Sequence, residues 1–551
     1  AAAVEACTRA AAEAEAAGAR SALAIEARHA LGLALRAAGK PREAFAAFRA
    51  AALSERAAHL GLGDDDALRM RMDARPPCDG ALLAAVEWGL LEPAAAAEAG
   101  AAAFEACELG RGALLEALLA DREALVAARL PDDLRVEDVA SRRTLETARR
   151  EALAGRAKPE TLARAWAARD EVVARVERAA RRTVALVAPA PPDLPAVTAA
   201  LDARTAYVAW QIALDPDGSG KPPRLVAVVV RTDGARVFDL GDASGLPGDV
   251  DAWLALASVS GGDDVAVAAR LYDRLVRPLD GALVGATRLV TSLDGPLAGL
   301  PLEAFVRTDG GGKKERLVVG FEVVQVPSAA AWLAMRAEAA RAPGVGVVAV
   351  GDPASPKDRD GAATLPALPE SAEEAREVAA LFPEARRSLL LGADATTERV
   401  LAALGAGEGR RALHLACHGL VDERRPRASG FVLAAGDVLD ADRIARSPFP
   451  VDLAFASACE AGRGRVVRGE GLVGLPRAFL LAGVPRVIAA PWVLGDRATR
   501  PFVARFYAAW IRDGLAPAAA LRRAKLESLA AGGEAAHPSA WAGFVLWGVA
   551  D

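Results

Sequence analysis

The chain has 551 residues, 53% apolar and 25% charged, with a formal net charge of -5. That balance excludes a disordered chain, and the dispersal of both signs leaves no basic block to serve as a nucleic-acid footprint. At ~100–200 residues per domain, the length suggests about three units.

Residues 1 to about 185 read as helix almost throughout, from their Ala, Leu, Glu and Arg content and a 3.6-residue apolar period. Within residues 1–62, Leu31, Gly32, Leu35, Gly39, Ala44, Phe48 and Ala51 resemble the tetratricopeptide pattern. Gly32 and Ala44 are small where two antiparallel helices must approach, and Leu35 and Phe48 fill the gap between them. Gly39-Lys40-Pro41 ends one helix and starts the next. A lone repeat cannot bury its core, so further repeats before Ala1 or the helices of 63–188 must complete it. Longer helices with charged faces follow, broken at Pro131 and Pro159. The Pro-rich run 189–199 reads as a stiff linker.

Strand-like runs then appear at Ala206–Leu214, Leu225–Val230, Arg288–Ser292, Val345–Val350, Arg411–Cys417, Val451–Ala458 and Arg486–Ala490. Helical stretches such as Ala372–Leu381, Thr396–Leu404, Leu472–Leu481, Pro501–Arg512 and Pro517–Ala530 alternate with them. The alternation argues for an α/β fold with a mostly parallel sheet. Asp215–Lys221 and Asp309–Lys314 read as exposed turns and lack the spacing of a phosphate loop.

Two segments carry chemistry. In Arg411–Gly419 an alternating apolar strand ends at Gly419, which permits a sharp turn and leaves His418 at the strand's C-terminal end. In Val451–Gly462 a second buried strand ends at Cys459 among small residues. In open α/β sheets that edge is where sites collect. If the strands are neighbours, the imidazole can take the thiol proton. His418 precedes Cys459 by 41 residues (459 minus 418), in the order and near the separation of about 50 known for caspases. His414 shares the strand and reads as core or support. His414-x-x-x-His418 has zinc-protease spacing, but Leu415 stands where that motif needs its Glu, and no metal is expected.

On these motifs the chain resembles the CHAT peptidases, caspase-like proteases associated with tetratricopeptide repeats. The resemblance rests on Leu415-Ala-Cys-His-Gly419, Ser457-Ala-Cys-Glu460, Gly469-Glu-Gly471, Trp492 with Asp496, His537-Pro538-x-x-Trp541, Asp294-Gly-Pro-Leu297 and Val326-Pro327-Ser328. It implies a caspase-like α/β domain, with a pseudo-half at 200–340 and a catalytic half at 341–551, preceded by the helical-repeat region. It also implies a cysteine endopeptidase with His418 as base and Cys459 as nucleophile. The backbone N–H groups of Gly419 and Cys459 would form the oxyanion hole, and no cofactor is needed. Here Glu460-Ala461-Gly462 replaces the family's frequent Glu-Thr-Gly, and 463–468 is basic. His414, Glu460, Glu470 and Asp496 are candidates for a substrate pocket or its support. Arg463, Arg465 and Arg468 would instead favour an acidic substrate.

The implied role is bacterial defence or programmed cell death, with a protein substrate such as a gasdermin-like pore former or a dedicated effector. A regulatory protein or ligand would bind the N-terminal helices, and neither nucleic acid nor membrane is expected as a partner. The alternative is a non-catalytic helical-repeat scaffold. Five cysteines, odd in number and widely spaced, point away from a disulfide framework and toward the reducing cytosol. The chain starts at Ala1 rather than Met, so a trimmed N-terminus is expected. Its first residues mix Ala with Glu and Arg, unlike a signal peptide. The most apolar long stretch, 471–492, is interrupted by Pro476, Arg477, Pro485 and Arg486 and reads as no membrane span.

Overall fold

The structure is a computed structural model that describes residues 2–18, 22–59, 77–112, 132–156, 158–184, 193–341, 343–358, 362–405, 409–458, 460–468, 471–493 and 496–551. The N-terminal region holds the helices α1 (Ala2–Gly18), α2 (Ala22–Ala37), α3 (Pro41–His59), α4 (Pro77–Leu91), α5 (Ala96–Leu109), α6 (Asp132–Leu153) and α7 (Pro159–Val184). The α2/α3 hairpin packs as the small-residue pattern demands. Phe48 is fully buried in a slot that glycines make: a Cβ at Gly32 would come within 2.7 Å of its ring, and one at Gly80 within 2.6 Å. Gly80 belongs to α4, so the next helix continues the stack. No described helix is long and apolar enough to cross a membrane.

Of the expected linker at 189–199, residues 189–192 lie outside the described residues. Residues Leu194–Ala200 form a short helix, α8, because Asp193 caps it by accepting the Ala196 N–H at 2.9 Å and Pro195 stands in its first turn. Val197 on this helix is fully buried.

The strands are β1 (Thr205–Ala213), β2 (Arg224–Arg231), β3 (Gly234–Asp242), β4 (Arg288–Leu293), β5 (Val306–Thr308), β6 (Lys314–Arg316), β7 (Glu322–Gln325), β8 (Val347–Pro353) and β9 (Arg387–Gly392). They continue with β10 (Arg410–Ala416), β11 (His418–Leu420), β12 (Gly430–Val432), β13 (Val438–Asp440), β14 (Val451–Ser457), β15 (Gly464–Val467), β16 (Gly471–Gly474), β17 (Arg486–Ala489) and β18 (Val545–Gly548). Eleven of them form one sheet in the order β3-β2-β1-β4-β7-β18-β17-β14-β10-β8-β9. It is parallel except at β1/β2, β2/β3 and β17/β18. The central strands are apolar on both faces, as a sheet covered by helices on each side requires.

Two half-sheets meet where β7 runs beside β18, through the register pair Gln325–Trp547. A buried ion pair, Lys525 to Glu303 at 2.7 Å, supports the join. The helical region closes the outer part of the first half. α5 crosses β3 so closely that a Cβ at Gly100 would lie 2.1 Å from the Ala235 carbonyl oxygen. Glu108 on α5 is fully buried and accepts hydrogen bonds from the Tyr207 hydroxyl at 2.8 Å and the Ala329 N–H at 2.9 Å. One expected element differs: of Leu472–Leu481, only Leu475–Leu481 is helical, and residues 471–474 form β16, paired with β15 in a hairpin.

Candidate active site

β10 and β14 are parallel neighbours, and Ala416 pairs with Ser457. His418 lies two residues beyond Ala416, and Cys459 two residues beyond Ser457. Adjacent strands are ~4.8 Å apart, so β10 and β14 end side by side at the same C-terminal rim. Cys459 itself lies outside the described residues, which resume at Glu460.

At Cys417 the chain bends out of the large sheet. His418 and Gly419 then enter β11, opposite Val432 and Phe431 of β12. The His418 ring is half-buried, and its Nε2 lies 2.8 Å from the Pro366 carbonyl oxygen. A carbonyl can only accept, so Nε2 carries a proton, and in the neutral ring the lone pair is on Nδ1. This is the tautomer a general base needs, oriented by a backbone group that no side-chain motif reveals.

The Pro366 segment is itself fixed. Asp352, at the end of β8, adopts a left-handed φ of 41° and accepts the Leu368 N–H at 2.8 Å. Its own N–H donates to the Ser371 hydroxyl at 2.9 Å. The helix that follows, Pro369–Ala380, carries Glu374, whose Oε1 lies 3.0 Å from His414 Nε2. His414 is fully buried, with its other ring nitrogen 3.4 Å from the Tyr507 hydroxyl. It therefore sits in the core rather than on the rim. It ties to β10 the helix that begins just after Pro366.

Glu460 follows Cys459 with a left-handed φ of 57°, a conformation that favours glycine. Its carboxylate pairs with Arg463, which also donates to Glu423 at 2.6 Å. The Arg463 guanidinium thus links the loop after the Cys strand to the loop after the His strand. Glu460 and Arg463 line a cavity of about 620 Å³ together with Leu420, Arg149, Leu162 and Trp166. Glu470 lies outside the described residues, and the helix Asp496–Tyr507 begins at Asp496, whose side chain is likewise not described.

Two arginines of the basic run are paired within the chain. Arg463 is taken up by two carboxylates. Arg468 points down to Asp79 of α4 and also donates to the Ile212 carbonyl at 2.8 Å. Asp79 is buried and accepts further hydrogen bonds from Gln211 at 3.1 Å and the Leu214 N–H at 2.9 Å. Burial pushes the Asp79 carboxyl above the usual carboxylate range, against the pull of Arg468 and the Leu214 N–H. On the other flank, α6 and α7 dock beside β13. Arg149 pairs with Asp440 at 2.8 Å, and Arg169 with both Asp442 at 2.8 Å and Asp138 at 2.7 Å. Both ends of the rim therefore touch the helical region, through residues with no motif around them.

A family model described as the CHAT domain matches residues 265–549. Among curated proteins, tetratricopeptide repeat protein 28 of Mus musculus is 27% identical over 332 residues, covering 50% of this chain. Its Homo sapiens counterpart is 26% identical over 338 residues, also covering 50% of this chain. The chain spans 13% of the length of each of these relatives. Among solved structures, gingipain R, an Arg-specific cysteine proteinase (RgpB of Porphyromonas gingivalis), is 9% identical with a TM-score of 0.35, over 55% of this chain and 73% of its own. The Saccharomyces cerevisiae separase–securin complex is 10% identical with a TM-score of 0.40, over 96% of this chain and 44% of its own.

Proposed function

The chain belongs to the CHAT-domain family, with a caspase-like α/β fold behind a helical region, and on that footing we propose that it is a cysteine endopeptidase using His418 and Cys459. The observation that carries the reading is the Ala416–Ser457 register pair, with His418 and Cys459 each two residues beyond it. The lone pair at His418 Nδ1 supports it.

The steps follow acyl transfer. His418 Nδ1 takes the Cys459 thiol proton, and Sγ attacks the scissile carbonyl carbon. The C=O electron pair moves onto oxygen, where the backbone N–H groups of Gly419 and Cys459 hold the oxyanion. As it collapses, the C–N bond breaks and the imidazolium protonates the leaving amine. His418 then deprotonates a water that attacks the thioester, releasing the carboxylic acid and restoring the thiol. The Pro366 carbonyl keeps the ring in one tautomer throughout.

The substrate is a specific protein, and the resemblance suggests a gasdermin-like pore former or a dedicated effector in bacterial defence or cell death. A regulatory partner would act on the N-terminal helices, and the Asp79–Arg468 contact supports that route. The test is cleavage of a proteome-derived peptide library by the full chain beside a Cys459→Ala control. Cleavage that disappears in the control supports the reading. Cleavage that persists contradicts it.

A further inference from the structure

The cavity beside the rim has walls from two sources. Leu162 and Trp166 come from α7 and Ala152 and Leu153 from α6, while Leu420 and Glu460 come from the catalytic loops. Leu420 is the second residue after His418, and Glu460 directly follows Cys459. Whatever fills this space therefore lies beside the scissile bond. Its volume of about 620 Å³ falls in the ~300–1,000 Å³ range of ligand pockets.

Several charged groups around it are already engaged, while the Arg424 side chain is exposed at its edge. Arg463 is held by Glu460 and Glu423, and Arg149 Nη1 by Asp440. Asp422 accepts the N–H groups of Arg424 at 3.0 Å and Arg425 at 2.8 Å. The apolar floor comes from Leu162, Trp166 and Ala428, with the Arg149 guanidinium 4.7 Å over the Trp166 ring.

We infer that this cavity is a substrate subsite for an apolar side chain, built in part by the helix pair α6/α7. The inference rests on the peptidase reading and deepens it. The helix pair is bolted to the catalytic half through Arg149–Asp440, Arg169–Asp442 and Arg443–Glu146. Its wall is therefore a fixed part of the cleft. Specificity then depends on residues that lie outside 265–549, the span the family model matches.

The test is a peptide array probed with the full chain carrying Cys459→Ala, so that binding is read without turnover. Bound peptides are expected to share Leu, Phe, Trp or a similar residue at one position. Replacing that residue by Ser weakens binding by about tenfold or more. Ala152→Phe, which fills the cavity without removing a packed group, causes a similar loss, and so does Trp166→Ala. No bound peptide, bound peptides without a common apolar position, or binding unchanged by Ala152→Phe overturns the inference. Incubating the bound peptides with the Cys459 chain separates the two readings. Peptides that bind through the apolar position and are not cut leave the subsite standing and count against the peptidase.

Discussion

Buried Asp79 and half-buried Arg468 form an ion pair between residues 389 positions apart in the chain. One stands at the start of α4 in the helical region. The other stands at the end of β15, nine residues past Cys459. The pair ties the end of the β15/β16 hairpin to α4, and disturbing α4 is expected to reach the rim through it. Removing Asp79 leaves the half-buried Arg468 guanidinium without its carboxylate, with the Ile212 carbonyl still accepting from it. Asp79→Ala is expected to accelerate amide exchange in residues 464–474 and to lower kcat/KM by about tenfold or more. A double-mutant cycle with Arg468→Gln should show a coupling of at least ~1 kcal/mol. Additive single effects would rule the connection out.

The hydrogen bond from His418 to Pro366 uses a main-chain carbonyl. Pro366→Ala keeps that carbonyl and is expected to change kcat/KM by less than about tenfold, whereas His418→Ala is expected to lose ~100–10,000-fold. Kinetics of the two variants on one cleavable peptide check the pair of values. Equal losses would mean that the proline ring, and not the carbonyl, matters.

Buried Glu108 offers a pH test of the contact between α5 and the sheet. Burial pushes its carboxyl above the usual range, against Arg111 and the Tyr207 and Ala329 donors. The folded chain therefore holds this proton to higher pH than the unfolded chain does. The associated stability is complete below the ordinary Glu value and is lost as pH rises through the raised one. Glutamine is neutral at every pH. The melting temperature of Glu108→Gln, relative to the parent, is expected to rise as pH increases above the ordinary Glu value. A flat or falling difference would contradict the assignment.

Arg169 is the anchor of the helix pair α6/α7. It is buried and divided between Asp138 and Asp442. Burial opposes the charge on Asp442, but Arg446, Arg169 and Arg427 outweigh it and hold that carboxyl well below the usual range. Arg169→Ala removes the buried cation that joins Asp138 to Asp442, leaving Asp138 with Arg142 and Asp442 with Arg446. Faster amide exchange confined to residues 132–184 and to β12 and β13 is the expected signature. Exchange unchanged there would show that the pair does not hold the helices.

Much of the catalytic half was legible in the sequence, because its strands are short apolar runs that end in small residues. The Ala416–Ser457 pairing follows from reading β10 and β14 as neighbours. β3 was not legible, since Gly234–Asp242 is half-exposed and partly polar. β16 was taken into a helix because Leu472 and Val473 continue the apolar run of Leu475–Leu481, and only the pairing with β15 separates them. Of the candidate support residues, His414 is in the core and Glu460 lines the cavity. Pro366 was invisible because it acts through its carbonyl. Asp79, Arg149 and Arg169 were invisible because their partners lie hundreds of positions away.

The most direct test of the central claim is the rate at which iodoacetamide alkylates each cysteine of the native chain, with and without His418→Ala. Cys107 is buried and its thiol is pushed up to about 12, and Cys78 and Cys417 are buried as well, so all three should react slowly. Cys459 is predicted to react fastest near neutral pH, ahead of the partly exposed Cys7, and to lose that advantage in His418→Ala. Labelling of Cys459 no faster than Cys7, or a rate indifferent to His418, would contradict the dyad.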